Sequence, residues 1–380
     1  MYGVALKMLF GDRVKYLGLV FGVAFATLLI LQQGGLFVGL MSRTASVIAD
    51  AQEANIWVMD PQAKYIDTVR TMRDTELARV RGIPGVAWAV PLSKATAAVK
   101  TLDGRIDNAA VIGIDDATLI GAPHRFRIGS IQDLRGPDAI AIDPAGFKRL
   151  WPGEPIVTGK ELELNDRRAV VRAIIEASAA FTAPIVIYAR YIVATGFVPQ
   201  GRNRLAFVLA RSLPGQDPDL VARQIAERTG LGALSSRAFG WKTIRYYLAN
   251  TGIPINFGIV ILLGVIVGIA IVGLTFFMFV SDNIRQYAAL KAMGATGATL
   301  ARMVLLQAAV VGSIGFAFGT ALAAAFFQFA TRPDSELRGM NLPWWIVAGV
   351  AVLMVLVLLG ATMTSLRRVM VIDPAIVFRT

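Results

Sequence analysis

The sequence contains no cysteine and only one histidine, and just 17% of its 380 residues are charged. Without cysteine, the chain can form neither a disulfide framework nor a thiolate metal site. The histidine, His124, lies in the loop-like stretch GAPHRF, and we interpret it as a solvated residue because a metal site needs several ligands. Soluble domains carry about 25% charged residues. The low charge, with 55% hydrophobic residues and a mean hydropathy of +0.59, indicates a membrane protein without a metal site.

Long apolar runs dominate what remains. Each of four segments exceeds the ~20 helical residues that cross a bilayer. None has an ionisable residue in its interior, which argues against an ion-coupled carrier, because such carriers place ionisable groups at membrane depth. The first could be a cleaved signal peptide, but its apolar stretch is about twice the usual length, and we predict an uncleaved span. The segments are residues 16–41, 253–280, 303–330 and 342–366.

The direction of the spans follows from the lysines and arginines in the short flanks, which favour the cytoplasmic side. The net charge of +12 is explained in this way without nucleic acid as a partner, since no arginine-rich arm is present. The short loop after the third span carries balanced charges and belongs outside. The flanking basic residues are Lys7, Arg13 and Lys15 before the first span, Arg285, Lys291 and Arg302 after the second, and Arg367, Arg368 and Arg379 after the fourth.

The predicted fold class is an α-helical integral membrane protein with four transmembrane helices and a large α/β extracytoplasmic domain inserted between helices 1 and 2. Both termini are expected on the cytoplasmic side of the membrane. The predicted parts are a cytoplasmic interfacial helix (1–15) contacting membrane lipids, transmembrane helix 1 (16–41), the extracytoplasmic α/β domain (42–252), transmembrane helix 2 (253–280), a cytoplasmic helical loop (281–302), transmembrane helix 3 (303–330), a short external loop (331–341), transmembrane helix 4 (342–366) and a cytoplasmic tail (367–380).

The insert shows strand and hairpin signals but no catalytic set. Asp103-Gly104 and Asn165-Asp166 lie between β-branched runs and predict hairpin turns. Helices are predicted over residues 71–80, 219–229 and, rich in aromatics, 236–250, and residues 185–193 are predicted to form one strand. The adjacent carboxylates Asp115 and Asp116 are interpreted as a solvated turn, because neighbouring strand-end residues point apart. We therefore predict no catalytic residue and no bound cofactor.

Small residues recur at four-residue spacing in the spans, a pattern that lets helices approach closely within one chain or between subunits. Four helices make a thin bundle, so we expect a homodimer. The amides Gln32, Gln33, Gln307 and Gln328 are interpreted as helix–helix hydrogen-bonding groups. The small-residue pairs are Gly18 and Gly22, Gly35 and Gly39, Gly264 and Gly268, and Gly315 and Gly319.

The loop between the second and third spans has more helical character than a simple connection needs. In RQYAALKAMG, residues 285–294, the side chains of Tyr287, Leu290 and Met293 fall three apart, and we predict that they form one apolar face. Arg285 and Lys291 flank that face, and Gly294 can end the helix.

This loop resembles the cytoplasmic segment of FtsX/MacB-type ABC permeases. It is most similar to the DevC-like subfamily of heterocyst-type glycolipid exporters, as is the tail IDPAIVF at residues 372–378. The stretch at residues 152–177 is similar to a hairpin of the family's periplasmic domain. One departure is Gln286, where the family usually has glutamate.

The resemblance implies the permease subunit of an ATP-driven ABC exporter of the mechanotransmission type, within a tripartite system that moves an amphiphilic or lipid-like substrate. The chain has no P-loop motif, so it is expected not to be an enzyme; ATP and Mg would lie on a separate ABC ATPase subunit. The resemblance also implies a bacterial inner membrane for the spans, the periplasm for the large domain, and a coupling helix in the cytoplasmic loop at residues 281–302. A periplasmic adaptor and an outer-membrane channel are the further implied partners. The implied ATPase-coupling residues are Arg285, Gln286, Tyr287, Leu290, Lys291, Met293 and Gly294.

Two alternatives remain at this point. An FtsX-like signalling protein has the same architecture and switches a periplasmic partner without transport. A membrane-anchored enzyme is the third possibility, and the absence of a catalytic set in the sequence argues against it.

Overall fold

A computed structural model describes residues 2–198, 204–332 and 335–370. The chain divides into two compact units. We call Met1–Val38, Gly252–Phe329 and Met340–Thr380 the helical unit, and Gly39–Thr251 with Ala330–Gly339 the inserted domain. The predicted tail motif at residues 372–378 and Arg379 lie outside the described residues.

The elements follow in chain order. The helices are α1 (Tyr2–Gly11), α2 (Arg13–Thr44), α3 (Ser46–Asp50), α4 (Thr75–Arg81), α5 (Pro144–Leu150), α6 (Tyr191–Phe197), α7 (Pro218–Thr229), α8 (Ser236–Asn250), α9 (Ile253–Asp282), α10 (Ile284–Ala292), α11 (Gly297–Ala330) and α12 (Trp344–Met370). The strands are β1 (Ile56–Met59), β2 (Met72–Arg73), β3 (Val86–Thr101), β4 (Ile106–Ile114), β5 (Phe126–Ile128), β6 (Ala139–Ile142), β7 (Glu161–Leu164), β8 (Arg167–Ile175), β9 (Ile185–Arg190), β10 (Arg204–Leu205), β11 (Phe207–Ser212) and β12 (Gly232–Ser235).

Within the described residues, four helices are long and apolar enough to cross a membrane: α2, α9, α11 and α12. This confirms the predicted number of spans and the position of the large domain between the first two. Helix α11 begins at Gly297, well ahead of the predicted span, because its first turns belong to the helical unit's buried core, where Leu300 and Met303 are fully covered.

Glycines let α2 pack closely against α9 and α11. A methyl group on Gly268 would lie 2.9 Å from Cβ of Ala26, and one on Gly319 would lie 2.5 Å from the carbonyl oxygen of Ala24. Real Cβ atoms do not approach other atoms this closely, so neither position accommodates even alanine without a shift of the helices. The small-residue spacing therefore serves packing inside one chain.

The inserted domain is built on a mixed sheet with the described order β12-β1-β11-β3-β4-β9-β6-β8-β5, in which β7 pairs with both β3 and β8. The pairs β4–β9 and β6–β8 are parallel. Both predicted hairpins form. Asn165 and Asp166 have φ angles of 46° and 62°, the left-handed geometry of a two-residue turn that asparagine and aspartate tolerate.

Two local predictions in the insert need correction. The stretch 71–80 was expected to be helical, but it contains the short strand β2 before α4, because Met72 pairs with Leu205 of β10. The run 185–193 was expected to be one strand, but it ends at Arg190, where α6 begins. In both places a contact distant in the chain overrides the local pattern, and at α6 it is the carboxylate of Asp116, which accepts the amide of Ile192 in the first turn.

The connection between α11 and α12 is part of the inserted domain rather than a free loop. Arg338 of this connection is only 6% exposed and lies beside the fully buried carboxylate of Asp143, with Nη2 at 2.8 Å from Oδ2. From the sequence alone these charges indicate only the side of the membrane, because nothing in the local pattern shows a partner nearly 200 residues away.

Candidate functional site

Helix α10 is fixed to the rest of the helical unit by a buried relay of hydrogen bonds. The hydroxyl of Tyr287 donates to Oε1 of Gln307 on α11 at 2.9 Å, and Nε2 of Gln307 donates to the carbonyl oxygen of Ala5 on α1 at 2.8 Å. All three residues are fully buried. We call this the Tyr287–Gln307–Ala5 relay. It joins three helices through one amide, which uses its acceptor and a donor at the same time.

Burial has an electrostatic consequence at Tyr287. Removal of the hydroxyl from water raises the pKa of Tyr287 to about 12, although its hydrogen bond with Gln307 works in the opposite direction. The hydroxyl therefore stays protonated at neutral pH and remains a donor. The expectation that Gln307 serves helix–helix hydrogen bonding agrees with this geometry.

The apolar face predicted for α10 is not a single surface. Tyr287 is buried, Leu290 is half-buried and packs against the core, and Met293 is 75% exposed. A helix turns about 100° per residue, so a spacing of three moves each side chain back by about 60°. Tyr287 and Met293 are thus about 120° apart, and Tyr287 belongs to the inward face together with Ile284 and Ala288. Tyr287 is a positioning residue of the fold, not a residue that can touch a partner directly.

The outward face of α10 carries the exposed side chains of Arg285, Gln286, Ala292 and Met293, and we call it the α10 outer surface. Positions seven and eight apart return to the same side of a helix, which is why these residues share one face. Lys291 is half-buried at its edge. Of the seven predicted coupling residues, this face brings together Arg285, Gln286 and Met293.

Gly294 ends α10 in the way that the sequence predicted. Its φ is +93°, its amide donates to the carbonyl of Lys291, and the next amide, of Ala295, donates to the carbonyl of Leu290, both at 3.0 Å. This is the Schellman arrangement, which satisfies the last carbonyls of the helix and turns the chain sharply. Ala295 is buried, so the turn itself is held in the core before α11 begins.

An exposed ion cluster lies at the start of α2. The ammonium group of Lys15 is 2.8 Å from Asp12 and 2.5 Å from Asp282 at the end of α9. Exposed pairs of this kind add little to stability, because water screens the attraction and both side chains lose conformational freedom. The cluster therefore contributes orientation between α2 and α9 more than it contributes stability.

The predicted packing glycines mostly face neighbouring helices of the same chain. Gly264 and Gly268 of α9 face α2, and Gly315 and Gly319 of α11 face α2 as well. Gly35 lies against Phe327 of α11, and Gly39 is buried. These contacts account for the pattern without a second subunit.

Sequence reasoning missed a polar cavity of about 780 Å³ in the inserted domain. The nearly buried ammonium of Lys94 pairs there with Asp67, and the hydroxyl of Tyr247 donates to the same carboxylate at 2.8 Å. Burial, and then the bond to Asp67, raise the pKa of Tyr247. Lys94 sits on a strand whose alternating pattern gave no hint of a buried charge, so only the fold reveals this pair.

Two family profiles match the chain. That of the MacB-like periplasmic core domain matches residues 16–228, and that of the FtsX-like permease C-terminal domain matches residues 258–374. A comparison with curated proteins finds no match.

Solved structures with similarity to the chain include two extracytoplasmic domains. One is the extracellular domain of the noncanonic ABC-type transporter YknZ from Gram-positive bacteria, with 12% identity and a TM-score of 0.35 over 48% of this chain and 98% of that one. The other is the periplasmic region of MacB from Actinobacillus actinomycetemcomitans, with 12% identity and a TM-score of 0.36 over 52% of this chain and 94% of that one. The family rests on the profiles, the larger of which covers more than half of the sequence. The chain belongs to the MacB/FtsX-type family of ABC transporter permeases.

Proposed function

We propose that the protein is the membrane subunit of an ATP-driven exporter and that a separate ABC ATPase docks on the α10 outer surface. The observation that carries this proposal is the two-sided character of α10. Its inner face is fixed by the Tyr287–Gln307–Ala5 relay, and its outer face leaves Arg285 and Met293 exposed. A short helix whose inner face is fixed by buried hydrogen bonds and whose outer face is exposed is suited to receive a push from a partner.

The contacts of α10 suggest how such a push travels. A displacement of α10 acts on α11 and α1 through Gln307, because the buried amide has no water to replace a lost partner. It also acts on α11 through the turn at Gly294. The close packing of α2 against α11 at Gly315 and Gly319 then moves α2, which continues into the inserted domain. Packed interfaces shift between discrete arrangements rather than deform smoothly, so a displacement of α10 is passed on to α2 and is not lost in small local adjustments.

The docking chemistry follows from the exposed residues. Met293 offers a flexible apolar contact and Arg285 a cation that can meet acidic residues of the ATPase. Gln286 supplies a neutral hydrogen bond at the position where the family usually has glutamate. Recognition would thus depend less on charge at this position than in related permeases.

The wider setting is proposed on the resemblance to tripartite exporters. The spans lie in the bacterial inner membrane with the α10 outer surface in the cytoplasm, and the inserted domain acts in the periplasm on an amphiphilic, lipid-like cargo of the DevC-type class. A periplasmic adaptor and an outer-membrane channel complete the route. Two copies of the chain form the working unit; the exposed apolar residues along α9, including Ile259, Leu263 and Ile266, supply the surface for such an association.

The docking proposal is tested by co-purification of the ATPase with variants of the permease. Met293→Asp places a charge on the proposed contact, and we expect loss of the ATPase while the permease still folds. Leu102→Asp is the matched control, since Leu102 is 79% exposed at a hairpin tip of the inserted domain. Retention of the ATPase by Met293→Asp at the level of the control contradicts the docking site.

Turnover measurements separate export from signalling. With the ATPase bound, we expect ATP hydrolysis to rise when an amphiphilic cargo is added to the reconstituted complex. A complex that ignores amphiphiles but activates a periplasmic partner protein during hydrolysis is instead the signalling protein.

A further inference from the structure

The short connection between α11 and α12 is clamped to the inserted domain by arginines on both sides. Nη2 of Arg43 donates to the carbonyl oxygens of Glu336 and Arg338, at 2.6 and 3.0 Å. The carboxylate of Glu336 pairs with Arg149, which also pairs with Asp107. Backbone and side chains of the connection are thus both held.

The central contact of this clamp is buried. The side chain of Arg338 is 8% exposed, that of Asp143 is 0% exposed, and the two lie 2.8 Å apart. A surface ion pair opens at almost no cost, but separation of a buried pair leaves an uncompensated charge in a low-dielectric interior. The Arg338–Asp143 contact is therefore held closed far more strongly than the exposed pairs around it.

Asp143 also organises the domain beneath the clamp. Its Oδ1 accepts the amide of Val186 on β9 at 2.6 Å, and its Oδ2 accepts the amide of Gly146 in the first turn of α5 at 2.8 Å. The residue itself follows β6 directly. A force applied to Arg338 therefore reaches β6, β9 and α5 through one carboxylate.

We propose that Arg338 is a latch that fastens the α11–α12 connection to the inserted domain and gives movements of α11 and α12 their own path into that domain. The path is additional to the one through α2. This inference rests on the proposed function for what drives the movement, but the closed latch itself does not depend on any partner. Because α11 follows α10 after a single turn, the same push that moves α10 pulls on the latch.

The latch can be tested in this chain because it has no cysteine, so that one introduced thiol reports alone. Ala183 is 4% exposed and shares a cavity of about 240 Å³ with Arg43, Glu336 and Arg338. In Ala183→Cys we expect slow reaction with a bulky, water-soluble thiol reagent. Adding Arg338→Met should speed the reaction by roughly 100-fold, the order expected when a buried pair is broken.

Two further variants, each made in the Ala183→Cys background, keep the experiment decisive. Arg105→Met is the matched control, because it removes an exposed ion pair with Asp103 in the same domain and should leave the introduced thiol protected. Arg43→Gln removes the two hydrogen bonds to the connection but leaves the buried pair. It should speed the reaction by a smaller factor, and it provides the readout if Arg338→Met does not fold. Equal protection of the thiol in the latch variants and the control overturns the latch.

The role of the latch in transmission is read from the reconstituted complex. We expect Arg338→Met to keep the bound ATPase and its basal ATP hydrolysis but to lose most of the cargo export, while Arg338→Lys, which retains the charge, keeps an intermediate level. Wild-type export by a variant whose introduced thiol has become reactive shows that the latch carries no force. If the wild-type chain binds no ATPase at all, the proposed function fails, whereas the thiol measurement on the latch stands independently.

Discussion

Removal of the Tyr287 hydroxyl should measure how firmly α10 is held. In Tyr287→Phe the ring remains in its buried site, but Oε1 of Gln307 loses its only donor in the described structure. A buried acceptor without a partner costs about 1–3 kcal/mol in soluble proteins. Hydrogen bonds between membrane helices average about 0.6 kcal/mol and reach about 1.7. The site is fully buried at the edge of the spans, so we expect a loss of about 1 kcal/mol in the free energy of unfolding.

Removal of the Gln307 amide should lower the free energy of unfolding by more than removal of the Tyr287 hydroxyl. Gln307→Leu leaves the buried hydroxyl of Tyr287 without a partner and also removes the hydrogen bond to the carbonyl of Ala5, which keeps its place in helix α1, so its loss should exceed that of Tyr287→Phe. The double variant should lose less than the sum of the two single variants by about 1 kcal/mol, because the shared bond is removed only once.

The assay is reversible unfolding of the purified protein in mixed micelles, followed by the near-ultraviolet signal of its aromatic residues. Tyr16→Phe is the matched control. It deletes the same atom from a half-buried tyrosine of the same unit whose hydroxyl makes no hydrogen bond in the described residues, and its effect should be small. Strict additivity of Tyr287→Phe and Gln307→Leu, or an equal effect of Tyr16→Phe, would refute the relay as the element that holds α10.

Three other predictions concern packing, the end of α10 and pH. Gly319→Ala should destabilise the protein by about 1–3 kcal/mol, since the new methyl group meets the carbonyl of Ala24, whereas Gly349→Ala, with open space around it, should have no such effect in the same unfolding assay. Gly294→Ala should cost about 1–2 kcal/mol for its left-handed backbone alone, because nothing lies within 4 Å of the new atom; normal stability of this variant would show that the turn relaxes freely. Burial raises the pKa of Asp50, so this carboxyl group binds a proton more tightly in the folded protein than in the unfolded protein. The stability that the protonated group provides is present at low pH and is lost as the pH rises through the raised pKa. The free energy of unfolding of the wild type, relative to that of Asp50→Asn, should therefore fall as the pH rises above about 4, the ordinary pKa of an aspartate. A difference between the two free energies that stays constant from about pH 4 to neutrality would contradict the effect of burial.

Much of the architecture could be predicted from short stretches of the sequence. Apolar runs without charges define the four spans, because a helix of about 20 such residues has no other stable environment. The turns at Gly104 and Asn165-Asp166 are fixed by residues that tolerate positive φ, and the end of α10 by Gly294. Each of these features depends on neighbours within a few positions, which is the range over which a pattern can be read.

Tertiary structure decided which side chains of these elements are buried and what they meet. Tyr287 turns inward because Gln307, which itself donates to the carbonyl of Ala5, offers it a buried acceptor, and the spacing of three in the sequence could not distinguish this from an exposed face. Arg338 becomes a buried counter-ion because Asp143 lies at the end of β6, far away in the chain. The sequence by itself determined the number of spans, the place of the inserted domain and the turns at glycine and asparagine. The exact limits of the elements and the direction of each polar group depended on long-range contacts, since the energy of a buried charge or amide is set by its partner and not by its neighbours in the chain.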